Sequence, residues 1–260
     1  MNKVEFCLNA VRSAVVWSLV ALCTFVFFFP TVLAAALIYP FDSARKLIHP
    51  FISNWAKIIL VICPVMNVHV ECEERIDEKE TYILVANHQS VADILVALHM
   101  NQSFKFIAKQ ELFYIPFLGW AMGAAGYIAL IRGNLESGKR AILQARSLIQ
   151  RGVSVLFFPE GTRSPDGEIR SFKMGAFKLA AELGVPVVPM VIDGTYNLVP
   201  KGSRLLNRNV NVKLRILKPH RVESKGSHSA DQLMEEVRSE MIETLKKMRS
   251  DKEIELTSVA

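Results

Sequence analysis

The sequence predicts an α/β fold: a mainly parallel sheet wrapped by helices, preceded by an N-terminal membrane-embedded helical segment. Three observations predict it. Beyond residue 65, short apolar runs alternate with segments of helical periodicity, the pattern of a sheet whose crossovers are helices. Several of those runs are continuous rather than alternating, as strands covered on both faces require. Finally, Ser13 to Phe41 is a stretch of 29 residues without a charged side chain, whereas about 20 apolar residues suffice to cross a bilayer as a helix.

That N-terminal stretch holds Val15-Val16-Trp17, Phe25 through Phe29 and Val32 through Tyr39. It is longer than the roughly 7–15-residue core of a signal peptide. A second apolar stretch, Ile58 to Val65, is too short to span and is preceded by Arg45, Lys46 and Lys57, which reads as an interfacial amphipathic helix. Two placements stay open. Residues 13–40 cross once, or 13–40 and 44–65 form a helical hairpin in one leaflet with Pro40 near the bend; the hairpin is preferred. Lys3 and Arg12 lie on one side and Arg45 and Lys46 on the other, so positive charge favours neither orientation.

Strands are expected at Asn67–Glu71, Tyr82–Ala86, Phe104–Ala108, Tyr127–Ile131, Ser154–Phe158, Pro186–Ile192 and Val210–Ile216. Helices are expected at Val91–His99, Phe117–Ala125, Glu136–Arg151 and Lys173–Leu183. A last helix, Ala230–Arg249, carries one apolar stripe of Leu233, Val237, Met241, Leu245 and Met248, with Ser229 and Gln232 as a capping box. The expected division is residues 1–65 as membrane-anchoring helices, 66–249 as the α/β domain and 250–260 as a frayed polar tail.

The 260 residues are 51% hydrophobic with mean hydropathy +0.25 and net charge +6. The apolar excess sits mainly in the first third, and the length is ample for a core. Cys7, Cys23, Cys63 and Cys72 lack metal-ligand or CxxC spacing and read as reduced thiols, so no metal site is expected. Reduced cysteines and a basic balance suit a domain on the cytoplasmic face of a membrane, where anionic headgroups attract Lys and Arg. No nucleic-acid partner is expected, and the oligomeric state is left open.

Four stretches carry chemistry. Asn87-His88-Gln89-Ser90-Val91-Ala92-Asp93 places a histidine five residues before an aspartate where a strand hands over to a helix. Histidine titrates nearest neutrality and can take a proton from a hydroxyl, and a carboxylate can fix its tautomer. Ser90-x-x-Asp93 is equally a capping spacing, and His88 equally a loop histidine. Phe157-Phe158-Pro159-Glu160-Gly161-Thr162-Arg163-Ser164 follows a strand, where ligand crevices form in α/β sheets. There Glu160 offers a carboxylate, Gly161 a close backbone approach, and Arg163 a planar fork that matches phosphate oxygens; a turn with a solvated Glu160–Arg163 pair is the alternative. Lys109 and Arg132 each follow a strand and point to the same sheet edge, with Phe113, Tyr114, Phe117 and Trp120 between them bordering a channel or packing in the core. Val185-Pro186-Val187-Val188-Pro189 shapes a buried strand.

In this order Asn-His-Gln-Ser-x-x-Asp, Lys-Gln-Glu-Leu with Gly-Trp and Arg-Gly, Phe-Pro-Glu-Gly-Thr-Arg-Ser and Val-Pro-Val-Val-Pro resemble the glycerophospholipid acyltransferases, in particular the 1-acylglycerol-3-phosphate (lysophosphatidate) type. The resemblance covers residues 65–220 or so. It implies the glycerolipid acyltransferase fold and direct transfer of a fatty acyl group from a thioester to the 2-hydroxyl of lysophosphatidate, giving phosphatidate; another lysolipid acceptor is the alternative. His88 would be the general base and Asp93 its orienting partner. Lys109 and Arg163, with Arg132 as a third cation, would hold the acceptor's phosphate. Glu160, Gly161 and Thr162 would line the glycerol site. No cofactor is implied; acyl-CoA or acyl carrier protein would be the co-substrate, and a membrane lipid the acceptor.

Overall fold

A computed structural model describes residues 3–62, 65–73, 76–100, 102–199, 205–207, 210–221 and 230–258. Its helices are α1 (Lys3–Ile38), α2 (His49–Ile62), α3 (Asp93–Ala97), α4 (Leu118–Ala124), α5 (Leu135–Gln150), α6 (Gly175–Leu183) and α7 (Ala230–Ser258). Its strands are β1 (Met66–Cys72), β2 (Ile83–Ala86), β3 (Phe104–Lys109), β4 (Ile128–Leu130), β5 (Ser154–Phe157), β6 (Val187–Asp193) and β7 (Val210–Ile216). Each expected strand is present within one or two residues. The last helix runs past its expected end at Arg249 to Ser258, while the expected capping by Ser229, like Cys63, lies outside the described residues.

The strands form one sheet in the order β1-β7-β6-β2-β5-β3-β4. From β6 to β4 every pairing is parallel. The exception is the edge: β7 runs antiparallel to β6, and β1 pairs parallel with β7. Five parallel strands therefore present their carboxyl ends on one side.

The central strands are apolar throughout because both faces are covered. Leu84 and Ala86 of β2 pack in a core with α1, α2 and α3, and Ile83 and Val85 in a second core with α5, α6 and α7. The stripe of α7, Leu233 through Met248, closes that second core. On the other face, α2 turns in Ile52, Ala56 and Ile59 at helical spacing. Helix α1 lies along the domain rather than apart from it. Leu206 N donates to Ser13 Oγ (2.9 Å), Trp55 Nε1 donates to Thr24 Oγ1 (3.2 Å), and Phe25 and Phe28 pack edge-on against Phe117 of the α4 entrance. Its outer face leaves Leu8, Val11, Val15, Leu22, Val26 and Leu33 exposed.

The turn between α1 and α2 contains Pro40 and is latched to the sheet. Lys105 of β3 is fully buried, its ammonium donating to the carbonyl of Arg45 (2.7 Å) and lying 5.5 Å over the Tyr127 ring. Arg45, in the left-handed region at φ 57°, donates in turn to the carbonyl of Gly123 (2.6 Å). Burial pulls the Lys105 ammonium down to about 7, with Asp42 opposing and Arg45 assisting.

Candidate active site

Where β2 ends, Asn87 keeps the sheet going by one rung. Its side-chain amide donates to the carbonyl of Ile192 and accepts from the N–H of Ile192, both at 2.8 Å. The backbone is thereby free to turn out at His88, which the loop after β5 clamps from two sides. His88 N–H donates to Glu160 Oε1 (2.9 Å), and Ser164 N–H donates to the His88 carbonyl (2.7 Å).

The imidazole Nδ1 of His88 is 2.7 Å from Oδ2 of Asp93. A carboxylate only accepts, so Nδ1 holds the proton in the neutral ring and Nε2 is left with a lone pair. Asp93 opens α3 and is fully buried. Its Oδ2 also accepts from the N–H groups of Gln89 (2.7 Å) and Ser90 (2.9 Å), and its Oδ1 accepts from the hydroxyl of Thr195 (2.5 Å). The two accounts that the spacing leaves open thus coexist: Asp93 caps the turn and orients the histidine. Phe158 covers the imidazole face, ring centroids 4.4 Å apart.

His88 lines a cavity of about 920 Å³. On one side the cavity is cationic, with Lys109 at the end of β3, Arg132 and Arg163 from the loops after β4 and β5, Lys139 of α5 and Lys173 from the entry to α6. Lys109 is paired with Glu111 at 2.8 Å, and both remain half exposed. Burial, and then the neighbouring charge of Arg163, push the Arg132 guanidinium below its ordinary value, with Glu111 opposing. Like charges that act on one another in this way favour the binding of an anion. The rest of the cavity is apolar and extends between the sheet and the N-terminal helices, past Val20, Phe27, Ile59, Leu95 and Met122 to Leu206.

Gly161 lines the cavity at φ 71°, and a Cβ there would stand 2.7 Å from Lys173 Nζ. Glycine therefore allows both the backbone turn and the approach of that lysine. Lys173 is absent from the expected site because nothing local in the sequence separates it from a surface lysine. Two expected site residues sit elsewhere. Glu160 turns inward, Oε1 accepting from His88 N–H and Oε2 from Arg170 N–H (3.2 Å), so it braces the histidine rather than lining the cavity. Its burial raises the carboxyl above its ordinary value, with those two hydrogen bonds opposing. Thr162 is exposed at the rim and does not line the cavity. Among the described residues, no group of three or more His, Cys, Asp and Glu could hold a metal ion.

Residues 67–193, from β1 to the end of β6, match the model of the Acyltransferase family. The 1-acyl-sn-glycerol-3-phosphate acyltransferase of Escherichia coli is 30% identical over 233 residues, 86% of this chain and 93% of that protein. The chain belongs to the acyltransferase family of the 1-acylglycerol-3-phosphate type. The crystal structure of the 1-acyl-sn-glycerophosphate acyltransferase from Thermotoga maritima superposes with a TM-score of 0.77 at 31% identity, covering 93% of this chain and 98% of that one. A chloroplastic 1-acyl-sn-glycerol-3-phosphate acyltransferase of Arabidopsis thaliana is 41% identical over 207 residues, 79% of this chain. The chain spans little more than half of that plant relative's length, 56%. The matched stretch of the family model takes in His88, Asp93, Lys109, Arg132 and Arg163, and leaves α1, α2, β7 and α7 outside it.

Proposed function

We propose that the protein transfers a fatty acyl group from a thioester of CoA or acyl carrier protein to the 2-hydroxyl of a 1-acylglycerol 3-phosphate. The observation that carries this reading is the His88–Asp93 pair on the wall of a cavity cationic on one side and apolar beyond. Nε2 of His88 takes the hydroxyl proton as the oxygen attacks the thioester carbonyl carbon. The C–S bond then breaks, and the leaving thiolate takes that proton back from the imidazolium that Asp93 stabilises. General-base catalysis of this kind contributes about 10²–10⁴-fold. Arg163, Arg132 and Lys109 hold the phosphomonoester, whose charge of roughly −1.5 to −2 rewards several cations, and so bring the 2-hydroxyl against His88. The apolar part of the cavity takes an acyl chain.

Support for membrane association comes from α1, an apolar helix of a length that could cross a bilayer. Its 36 residues exceed the ~20 needed for a span. Yet its contacts with the α/β domain run from Arg12 to Ala35, and an upright span would carry that domain into the hydrocarbon. A hairpin of α1 and α2 in one leaflet, with the domain on the cytoplasmic surface, avoids this. The test is release of free thiol by the purified protein with acyl-CoA and a panel of lysolipids. Lysophosphatidate is expected to be the preferred acceptor, and His88→Ala to be inactive while folded. An active His88→Ala variant refutes the base; preference for a phosphodiester lysolipid refutes the acceptor.

A further inference from the structure

We propose that Thr195 is a positioning residue for the His88–Asp93 pair, an inference that rests on reading His88 as the general base. Strand β6 ends at Asp193, and the chain swings back through Gly194 at φ 99° into a short 3-10 turn, Thr195–Asn197. A Cβ at Gly194 would stand 2.2 Å from the carbonyl oxygen of Asn211 on β7, so only glycine allows the swing. The swing delivers Thr195, fully buried, beneath α3.

There its hydroxyl lies 2.5 Å from Oδ1 of Asp93 and 3.3 Å from Oε1 of Gln89. A hydroxyl has one proton, and it goes to the nearer, charged acceptor. The Gln89 amide is satisfied in the complementary sense, Oε1 accepting from Tyr196 N–H (3.3 Å) and Nε2 donating to the carbonyl of Gly167 (3.0 Å). Oδ2 of Asp93 is shared by the His88 ring and two backbone N–H groups. Thr195 holds the other oxygen. With both oxygens anchored, the carboxylate cannot rotate about its Cβ–Cγ bond, and Oδ2 stays aligned with Nδ1.

Without the Thr195 hydroxyl, Asp93 has one donor fewer in a buried place, and its carboxylate is free to turn away from the imidazole. Glu160, from the loop after β5, is a second carboxylate beside the pair. Behind Thr195 stands Asp193, paired at 3.2 Å with Arg249 of α7. Substitution at Thr195 leaves all of these in place.

The experiment compares Thr195→Val and Thr195→Ser in the full chain with acyl-CoA and lysophosphatidate, reading kcat, the KM of each substrate and thermal melting, with His88→Ala in parallel. Thr195→Val is expected to lower kcat about 10- to 100-fold, the worth of one hydrogen bond to a charged group. The KM of each substrate changes little, and Thr195→Ser restores kcat. A threonine that only stabilises the fold would lower the melting temperature of the valine variant and leave its kcat in place, which overturns the proposal. So does a serine variant as impaired as the valine one, or a valine variant with wild-type kcat. If Thr195→Val does not fold, Thr195→Cys, whose thiol is a weak donor, is judged by the same criteria. An active His88→Ala overturns the base assignment; an inactive one beside a wild-type-like Thr195→Val overturns the role of Thr195 alone.

Discussion

Nδ1 of His88 lies 2.7 Å from Oδ2 of Asp93, and that same oxygen accepts the N–H groups of Gln89 and Ser90. One carboxylate oxygen thus fixes both the ring and the turn that carries it. Asp93→Asn keeps the shape but removes the charge that stabilises the imidazolium. We expect kcat to fall by about 10²–10⁴-fold, with a lower melting temperature. Wild-type kcat in this variant would remove Asp93 from the reaction.

Glu160→Ala leaves the N–H groups of His88 and Arg170 without their acceptor. An unsatisfied buried donor costs about 1–3 kcal/mol. Glu160→Gln, which keeps one acceptor oxygen, should fall between alanine and wild type in thermal unfolding. Equal stability of all three proteins would show that the brace contributes nothing.

Arg163→Ala should raise the KM for lysophosphatidate about tenfold or more, since charge-assisted hydrogen bonds to phosphate are worth about 1.5–3 kcal/mol. The KM for acyl-CoA should change little. Steady-state kinetics with each substrate varied in turn separates the two, and an effect on kcat alone would show that the arginine does not hold the acceptor.

Burial of Lys105 makes stability depend on pH. Its ammonium is held near 7 in the fold and has an ordinary value of 10.5. Between those values the unfolded chain binds a proton that the folded one does not, so the burial penalty is relieved and stability rises with pH through that window, at most about 1.4 kcal/mol per unit. Below pH 7 both states are protonated and the dependence vanishes. Lys105→Met should therefore lack the rise, measured as the difference from wild type in chemical unfolding at several pH values. A constant difference from pH 7 to 10 refutes it.

Removing residues 1–40 should not yield a soluble, active domain. Val16 and Ala35 are buried in a core that α1 shares with the sheet, and α1 walls the cavity. Aggregation or inactivity, read by gel filtration and thiol release, is expected. An active monomer in the absence of detergent would contradict it.

The strands are legible in the sequence because each is a short apolar run between polar turns, and α7 because its stripe has helical spacing. Their order is not. Strand β1 pairs with β7, and the Glu71–Arg215 ion pair that joins them spans 144 residues. Helix α3 begins at Asp93 rather than Val91 because the backbone N–H groups of residues 89 and 90 turn to the Asp93 carboxylate. His88, Asp93 and the three expected cations meet at one cavity or directly behind it, since parallel strands deliver their loops to one edge. Glu160 faces inward because of the path of its loop, which no local spacing encodes. Thr195 is 102 residues from Asp93 and emerges from an ordinary Asp-Gly-Thr. That the N-terminal helices wall the cavity is equally hidden, because one apolar run suits lipid and a protein core alike.

That shared wall has a consequence for the protein without its lipid. A cavity of about 920 Å³, open in part to solvent, runs between α1, α2 and the sheet and leaves the apolar side chains that line it without neighbours on one side, whereas interiors otherwise fill space like organic crystals. A hydrocarbon chain seated there is at once a ligand and the missing portion of the core. Chain binding and tightening of the molecule become the same event, so a longer, better-filling chain raises the melting temperature by mass action before any bond is made or broken.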